Sequence, residues 1–399
     1  LDVESNLRKT HPQKFWLKMI SRFIYYLGMG DCWYEVRSLR WQKYYFIWAT
    51  ISNSYMFIIF IDELLSHLRD DLTVKEKNDM FQFTLAQPLI WAKILVLYFH
   101  RDKIRAVLEK LLEENRSTCP SLDMDKKAVK RALAYCMATC SVVYPTLVMT
   151  VTDAVITHVR EGIPIRTEVT YYPPKHYTGF FVNILRFLIE FHWWYMITAM
   201  VLIDCLCMCS LAFTGFKFRR VRLYFESLRG RFLKNPRRKV KAAEEKQFWK
   251  DFVVGIKLHE DALWCARNVQ HALGSLYSIQ IVESIGLMVI CLIKLVKLER
   301  NLSLVVANLC YLWGLIVVTG AYMTDGAEIT YEASLISTAI FHCGWEFVSA
   351  RAGQRTLVVL ALQRSQVPVY MTAFGIIILS YSNFITVLRS AYSFFAVMF

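Results

Sequence analysis

Several signatures that would mark an enzyme or a soluble protein are missing from this sequence. No Gly-x-Ser-x-Gly elbow, phosphate-binding loop, dinucleotide fingerprint or paired metal-ligand helix motif occurs in its 399 residues. Enzymatic chemistry therefore has no constellation to rest on, and no cofactor is expected. No cleavable signal peptide is visible either. Residues 1–43 are basic and amphipathic, with Phe15, Trp16, Ile20, Phe23 and Ile24 at helical spacing and no small-residue cleavage site. Leu1 stands where an initiator Met would, which is compatible with a trimmed start. No inverted repeat relates the two halves, which argues against a secondary transporter. No hydrophilic tail follows the last apolar run, so the chain is expected to end at or just outside a membrane face.

Apolar residues dominate. The chain is 55% hydrophobic and 20% charged, with a formal net charge of +14 and a mean hydropathy of +0.32. A basic chain can indicate nucleic acid, but here the Lys and Arg fall between apolar runs, as in a polytopic membrane protein. The expected environment is a lipid bilayer, with no nucleic-acid partner. Of the 11 cysteines, Cys205, Cys207 and Cys209 resemble a metal motif. They lie within a helical apolar run, where alternate residues point about 200° apart and cannot converge on one ion, so they are read as small packing residues.

Runs long enough to cross a bilayer lie at about 44–66, 78–99, 132–157, 179–214, 274–297, 303–324 and 367–397. Seven crossings put the termini on opposite sides. Lys plus Arg number 8, 9, 15 and 3 in segments 1–43, 100–131, 213–272 and 325–366, against 3 in each of 65–79, 158–177 and 294–303. The positive-inside rule then places the N-terminus in the cytoplasm and the C-terminus outside. That orientation is opposite to that of G-protein-coupled receptors. The chain also lacks their Asp/Glu-Arg-Tyr run after span three and Asn-Pro-x-x-Tyr in span seven.

The predicted fold class is all-α: seven transmembrane helices extended into a cytoplasmic anchor domain. The expected organisation is a cytoplasmic amphipathic segment (1–43), spans one to six with extensions at about 100–131 and 213–272 (44–325), an anchor helix (326–366) and a last span (367–399). The extensions carry apolar stripes: Ile104, Val107, Leu108 and Leu111; Phe218, Val221, Tyr224, Phe225 and Leu228; Phe252, Val253, Ile256 and Leu263. Such stripes need cover, either from one another and neighbouring subunits or from the membrane surface. A further long helix is predicted over 328–362.

The C-terminal third carries a more specific signal. Gly326-Ala-Glu-Ile-Thr-Tyr-Glu-Ala-Ser leads to Ala339-Ile-Phe-His-Cys-Gly-Trp345, and then to Arg355-Thr-Leu-Val-Val-Leu-Ala-Leu-Gln-Arg-Ser-Gln366. Tyr370-Met-Thr-Ala-Phe-Gly and Phe384-Ile-Thr-Val-Leu-Arg-Ser-Ala-Tyr-Ser-Phe394 follow. This succession resembles the C-terminal signature of insect odorant receptors, and His259 and Tyr277-Ser-Ile-Gln280 are also similar to that family. The related gustatory receptors end on a Thr-Tyr…Gln-Phe pattern that is absent here. The resemblance implies a ligand-gated, non-selective cation channel, a heterotetramer with a shared co-receptor joined through anchor helices at about 326–366. The co-receptor carries a long cytoplasmic segment between spans four and five. The same region here, about Phe216 to Gln270, is short, which points to an odorant-tuned subunit in the plasma membrane of olfactory neuron dendrites. A metabotropic seven-span receptor and a transporter remain as alternative readings.

The resemblance also implies where function sits. The last span would line the pore, and Thr372, Ser380, Ser382, Asn383, Thr386, Ser390 and Ser393 make it polar for a lipid-facing helix. These groups either line a water path or bond back to backbone. Leu388, Tyr392, Phe395 and Phe399 fall at helical spacing and read as a gate or as an interfacial aromatic belt. Arg389 reads as an outer-interface side chain. The implied pocket for a small volatile odorant, in the outer half between spans two and six, would draw on Phe81, Thr84 and Leu85, and on Tyr144, Leu147, Val151 and Ala154. It would also draw on Leu188, Phe191, His192 and Tyr195, with Gln280 and Glu283. The His192 imidazole can hydrogen-bond an alcohol, ester or carbonyl. Beside Trp193 and Trp194 it also reads as part of an interfacial cluster. Arg186 and Glu190 share a face of span four, and Asp204 has no local cation. Asn115-Arg-Ser would be a cytoplasmic, unused sequon, whereas Asn301-Leu-Ser would face outside.

Overall fold

The computed structural model describes residues 9–30, 33, 39–72, 74–112, 122–162, 164–165, 168–174, 176–177, 179–233, 241–297 and 302–398. Asn115, Asn301, Cys32, Cys119 and Phe399 lie outside the described residues.

Helix α1 (Pro12–Tyr26) opens on proline, whose missing N–H is harmless in a first turn, and buries Leu17, Ile20 and Ile24. Helices α2 (Leu39–Leu65) and α3 (Val74–Phe99) follow, then α4 (Arg101–Leu111), offset from α3 at His100. Helix α5 (Leu122–Glu161) starts on Asp123 and Asp125 and ends on His158 and Arg160, charges that complement the helix dipole at both ends. Helices α6 (Phe180–Leu233) and α7 (Ala242–Lys297) are 54 and 56 residues long. At 1.5 Å per residue each reaches about 80 Å, against about 30 Å for a hydrocarbon core, so more than half of each lies beyond it. Helix α8 (Leu302–Phe341) has 40 residues. Six helices are long and apolar enough to span a membrane, and α10 (Tyr381–Met398) supplies the seventh.

The protruding parts of α4, α6 and α7 cover one another's stripes. Ile104, Val107, Leu108, Phe218, Val221, Phe225, Leu228 and Phe252 are all buried. The Phe225 and Phe252 rings meet edge to face at 5.7 Å, close to Gly255, where an added Cβ would stand 2.7 Å from the Phe225 ring. Arg222 Nε donates to Glu332 Oε2 at 2.8 Å, tying α6 to α8. This end is called the extension face below. The opposite, loop face carries the α2–α3 and α5–α6 connections.

Two expectations are corrected. The single helix over 328–362 is broken: α8 ends at Phe341, Gly344 takes φ 100°, Trp345–Phe347 forms one 3-10 turn, and α9 (Ala352–Gln366) restarts. The apolar run 369–399 is not one helix either. Its first part is a hairpin, β1 (Thr372–Ala373) against β2 (Ile377–Ile378), with Thr372 opposite Ile378. Phe374 and Gly375 turn it at φ 56° and 70°. Helix α7 holds the hairpin: Gln270 Nε2 donates to Thr372 O at 2.7 Å, Thr372 N to Gln270 Oε1 at 2.9 Å, and Phe374 N to Ser278 Oγ at 2.7 Å. Gly326 of α8 lets it approach, since a Cβ there would stand 2.3 Å from Leu379 Cβ. Those bonds offset the helical ones that the segment gives up.

Candidate ligand-binding cavity

A cavity of about 230 Å³ lies in the loop-face half of the bundle, between α3, α5, α6, α7 and α8. Phe83, Leu147, Trp193, Met196, Ile197 and Val318 form apolar walls. Gly314 keeps the α8 wall thin, as an added Cβ would come within 2.9 Å of Val142 Cγ1. Trp193 meets Phe83 edge to face at 6.4 Å.

Polar groups stand at the floor, the rim and one wall. At the floor, Lys93 of α3 is fully buried. Its Nζ is 3.0 Å from Asp204 Oδ1 of α6 and 2.7 Å from Glu283 Oε2 of α7, and it also donates to Gln280 Oε1. Tyr322 OH donates to Asp204 Oδ1 at 2.9 Å. The cation that Asp204 lacks locally therefore comes from another helix. At the rim, Lys294 Nζ donates to Asp79 Oδ1 at 2.6 Å and to Gln82 Oε1 at 2.5 Å. In the wall, Gln87 is buried, and its Oε1 accepts no hydrogen bond among the described residues. Two nearby hydroxyls are already spent, Thr146 on Val142 O at 2.8 Å and Thr150 on Thr146 O at 2.9 Å. The cavity thus combines apolar walls, two ion clusters and an open amide acceptor, a composition suited to a small, mostly apolar molecule.

Of the residues expected from sequence, Leu147, Gln280 and Glu283 line this cavity. The others lie off it. Phe81 is exposed, and Thr84 Oγ1 lies 2.7 Å from His67 Nε2. Leu85 packs against Gly286. Tyr144 OH donates to Thr198 Oγ1 at 3.4 Å, and Val151 is half-buried. Leu188 and Phe191 are exposed. Tyr195 OH is 2.5 Å from Ser52 Oγ and donates to Leu27 O. His192 is buried with Nδ1 3.2 Å from Glu168 Oε2. Arg186 donates to the carbonyls of Pro174 and Tyr177 at 3.1 and 2.9 Å. Gln87, Lys93 and Trp193 were not expected. The available signal was a polar or charged residue inside an apolar run, which Gln87 and Lys93 both are.

On α10, Val387 and Ala391 are buried against the bundle, and Thr386 and Tyr392 are on the open side. Leu388 and Phe395 are half-buried between these two faces. The Tyr392 and Phe395 rings lie 6.4 Å apart. Leu388 rests on a packed cluster containing Leu287, Met288, Leu315 and Ala391. Leu315 also lines the ligand cavity.

No match was found among curated protein sequences. In fold, the chain is similar to the insect olfactory receptor OR5 from Machilis hrabei at a TM-score of 0.78 and 13% identity, covering 98% of this chain and 99% of that one. The same receptor in complex with eugenol matches at a TM-score of 0.78 and 13% identity, covering 99% of this chain and 98% of that one. The family model described as 7tm Odorant receptor matches residues 73–392, and the chain therefore belongs to the 7tm odorant receptor family.

Proposed function

We propose that this receptor is an odorant-tuned subunit of a ligand-gated, non-selective cation channel, assembled as a heterotetramer with a co-receptor. The observation that carries this reading is the apolar cavity with an open amide acceptor, Gln87 Oε1, in its wall. A volatile phenol or alcohol would place its ring or chain against Trp193 and Met196 and donate its hydroxyl to Gln87. The eugenol complex of the similar receptor supports a ligand of that size and kind. The remaining expected pocket residues would act around this cavity rather than in its wall.

The excess of Lys and Arg beside the extension face supports a cytoplasmic N-terminus and an extracellular C-terminus. In that orientation the ligand cavity opens toward the outside, and α4, α9 and the ends of α6 to α8 form the cytoplasmic anchor. Tyr331, Phe341, Val359 and Leu360 are exposed on that anchor and suit a subunit interface. The short connection between α6 and α7 supports a tuning subunit, expressed at the plasma membrane of olfactory neuron dendrites.

The open side of α10, with Thr386 and Tyr392, would face the channel axis, and Leu388, Phe395 and Phe399 would complete an apolar constriction that gates by dewetting. Leu315 touches both the ligand cavity and the cluster under Leu388, so a ligand that favours one packing of Leu315 shifts α10 with it. Recording from cells that express the chain with and without a co-receptor tests the proposal. Phenols and alcohols should evoke cation current only in co-expressing cells. Silence across a broad panel, with surface expression confirmed, would sink it. An externally accessible N-terminal tag would favour a metabotropic receptor, and uptake without channel-sized current a transporter.

A further inference from the structure

Away from the ligand cavity, three buried side chains from three separate elements converge. Glu63 lies in the last turn of α2, Glu168 in the α5–α6 connection and His192 on α6, with exposures of 4%, 0% and 0%. One metal-ligating atom from each lies within 4.8 Å of the others. His192 Nδ1 is 3.3 and 3.2 Å from the two Glu168 oxygens. Donor atoms around a tetrahedral zinc ion, with bonds of about 2.0–2.2 Å, stand about 3.4 Å apart. His192 and Glu168 already have that spacing, and a small inward movement of Glu63 completes it.

Glu63 itself points to a ligand. Neither of its carboxylate oxygens has a hydrogen-bond donor among the described residues, although the group is almost wholly buried. Burial pushes the Glu168 carboxyl well above its ordinary value, a hydrogen bond with the Glu63 carboxyl opposes the rise, and the nearby Glu190 adds to it. Glu63 and Glu168 thus set two carboxylates beside one imidazole, all out of water. The backbone holds them in place regardless. Tyr171 N donates to Asp62 O at 3.0 Å, Tyr172 N to Asp62 Oδ1 at 3.1 Å, and Arg69 Nη1 to Thr170 O at 3.0 Å. These bonds strap the connection around Glu168 to the end of α2.

We propose that Glu63, Glu168 and His192 form a site for a divalent transition cation of the Zn²⁺ class, which pins the α5–α6 connection to α2 and α6 beside the ligand cavity. Two carboxylates balance the ion's charge, and two oxygens with one nitrogen suit zinc with a fourth position left for water. Calcium would ask for about six to eight oxygens, more than the site offers. Trp193, the residue after His192, is a wall of the ligand cavity, so the pinned helix face adjoins the ligand. The proposal does not depend on which odorant binds or on whether the channel opens.

The test uses the purified full-length receptor in lipid nanodiscs, dialysed to equilibrium against Zn²⁺ and read by elemental analysis. About one Zn²⁺ per chain is expected. It should be lost in Glu168→Gln and in His192→Asn and retained in Asp79→Asn, which alters a carboxylate at the cavity rim. An unmodified receptor that binds no Zn²⁺, or folded variants that bind it as the parent does, would overturn the site and leave a proton-sharing cluster instead. If the first two variants do not fold, His192→Cys keeps a ligating side chain. Loaded with Co²⁺, it should gain a thiolate-to-metal charge-transfer band, and folded His192→Cys receptor without that band would equally overturn the proposal.

Discussion

Two buried acid clusters sit on the loop-face half of this receptor, and they are balanced in different ways. At the cavity floor, Asp204 and Glu283 share the ammonium of Lys93, and Asp204 also accepts from the hydroxyl of Tyr322. At the α5–α6 connection, Glu63 and Glu168 converge on His192. Both clusters bring together residues far apart in the chain, and both are closed to solvent. The first supplies its own cation, so its charges are fixed parts of the fold. The second sets two carboxylates around an imidazole, a donor set that can take up protons or a cation. The contrast separates a structural cluster from one that responds to its surroundings.

The largest expected effect follows from removing the floor cation. Lys93→Met leaves two carboxylates buried without a counter-charge, a cost of about 3–5 kcal/mol. We expect loss of surface expression and of the monodisperse species in size-exclusion chromatography. Adding Asp204→Asn and Glu283→Gln should restore both, since the cluster then holds no charge to balance. Folding of Lys93→Met at parental stability would show that Lys93 does not offset the floor acids.

The second effect has the opposite sign and is smaller. In chelator, Glu168→Gln should be as stable as the parent or more so, because it removes a carboxyl whose ionised form burial disfavours. Burial raises the Glu168 carboxyl above its unfolded value. Its contribution is therefore fully present below the ordinary carboxylate range, about 4.3, and is lost as pH rises above it. Between about pH 5 and pH 8 the chelated parent should lose more melting temperature than the variant, which keeps Glu63. Saturating Zn²⁺ should reverse the parent's trend, because binding requires deprotonated ligands. Equal pH slopes in parent and variant would remove Glu168 as the responsive group. Asp204→Asn at the floor should instead lower stability, since Lys93 and Tyr322 both lose a charged acceptor there.

These clusters also mark where sequence reading stops. Hydropathy located the first six spans because each holds enough apolar residues for a bilayer, and the stripes on α4, α6 and α7 foretold their mutual packing. Asp204 could be recognised as an acid needing a partner, but Lys93 lies 111 residues away, and nothing local joins them. His192 was legible as a special imidazole among aromatics. Its neighbours are set by the path of the α5–α6 connection, which has no periodicity to read, and that path puts it with two acids instead of the ligand. The hairpin at 372–378 was hidden for another reason. Val, Ile, Leu and Tyr are equally at home in a spanning helix and a buried hairpin. What separates the two is the turn at Phe374 and Gly375 and the backbone partners offered by Gln270 and Ser278 on a different helix.

The smallest expected effect sharpens the contrast with a neutral group. Gln87 stands in the cavity wall, and its Oε1 accepts no bond among the described residues. Unlike either charged cluster it has no counter-ion to lose, so Gln87→Leu should leave stability within the range of an ordinary substitution. The ligand hydroxyl, however, loses its acceptor, at about 1 kcal/mol for a neutral hydrogen bond. That corresponds to roughly a fivefold rise in the half-maximal concentration for phenols and alcohols. Ethers and hydrocarbons of the same size, which have no proton to donate, should not distinguish the variant from the parent. Dose–response curves for matched pairs, such as a phenol and its methyl ether, measure this directly. An equal shift for both members of a pair would mean that Gln87 shapes the cavity without reading the hydroxyl. A shift confined to the donor would place the ligand against α3, between the Lys93 floor and the Lys294 rim.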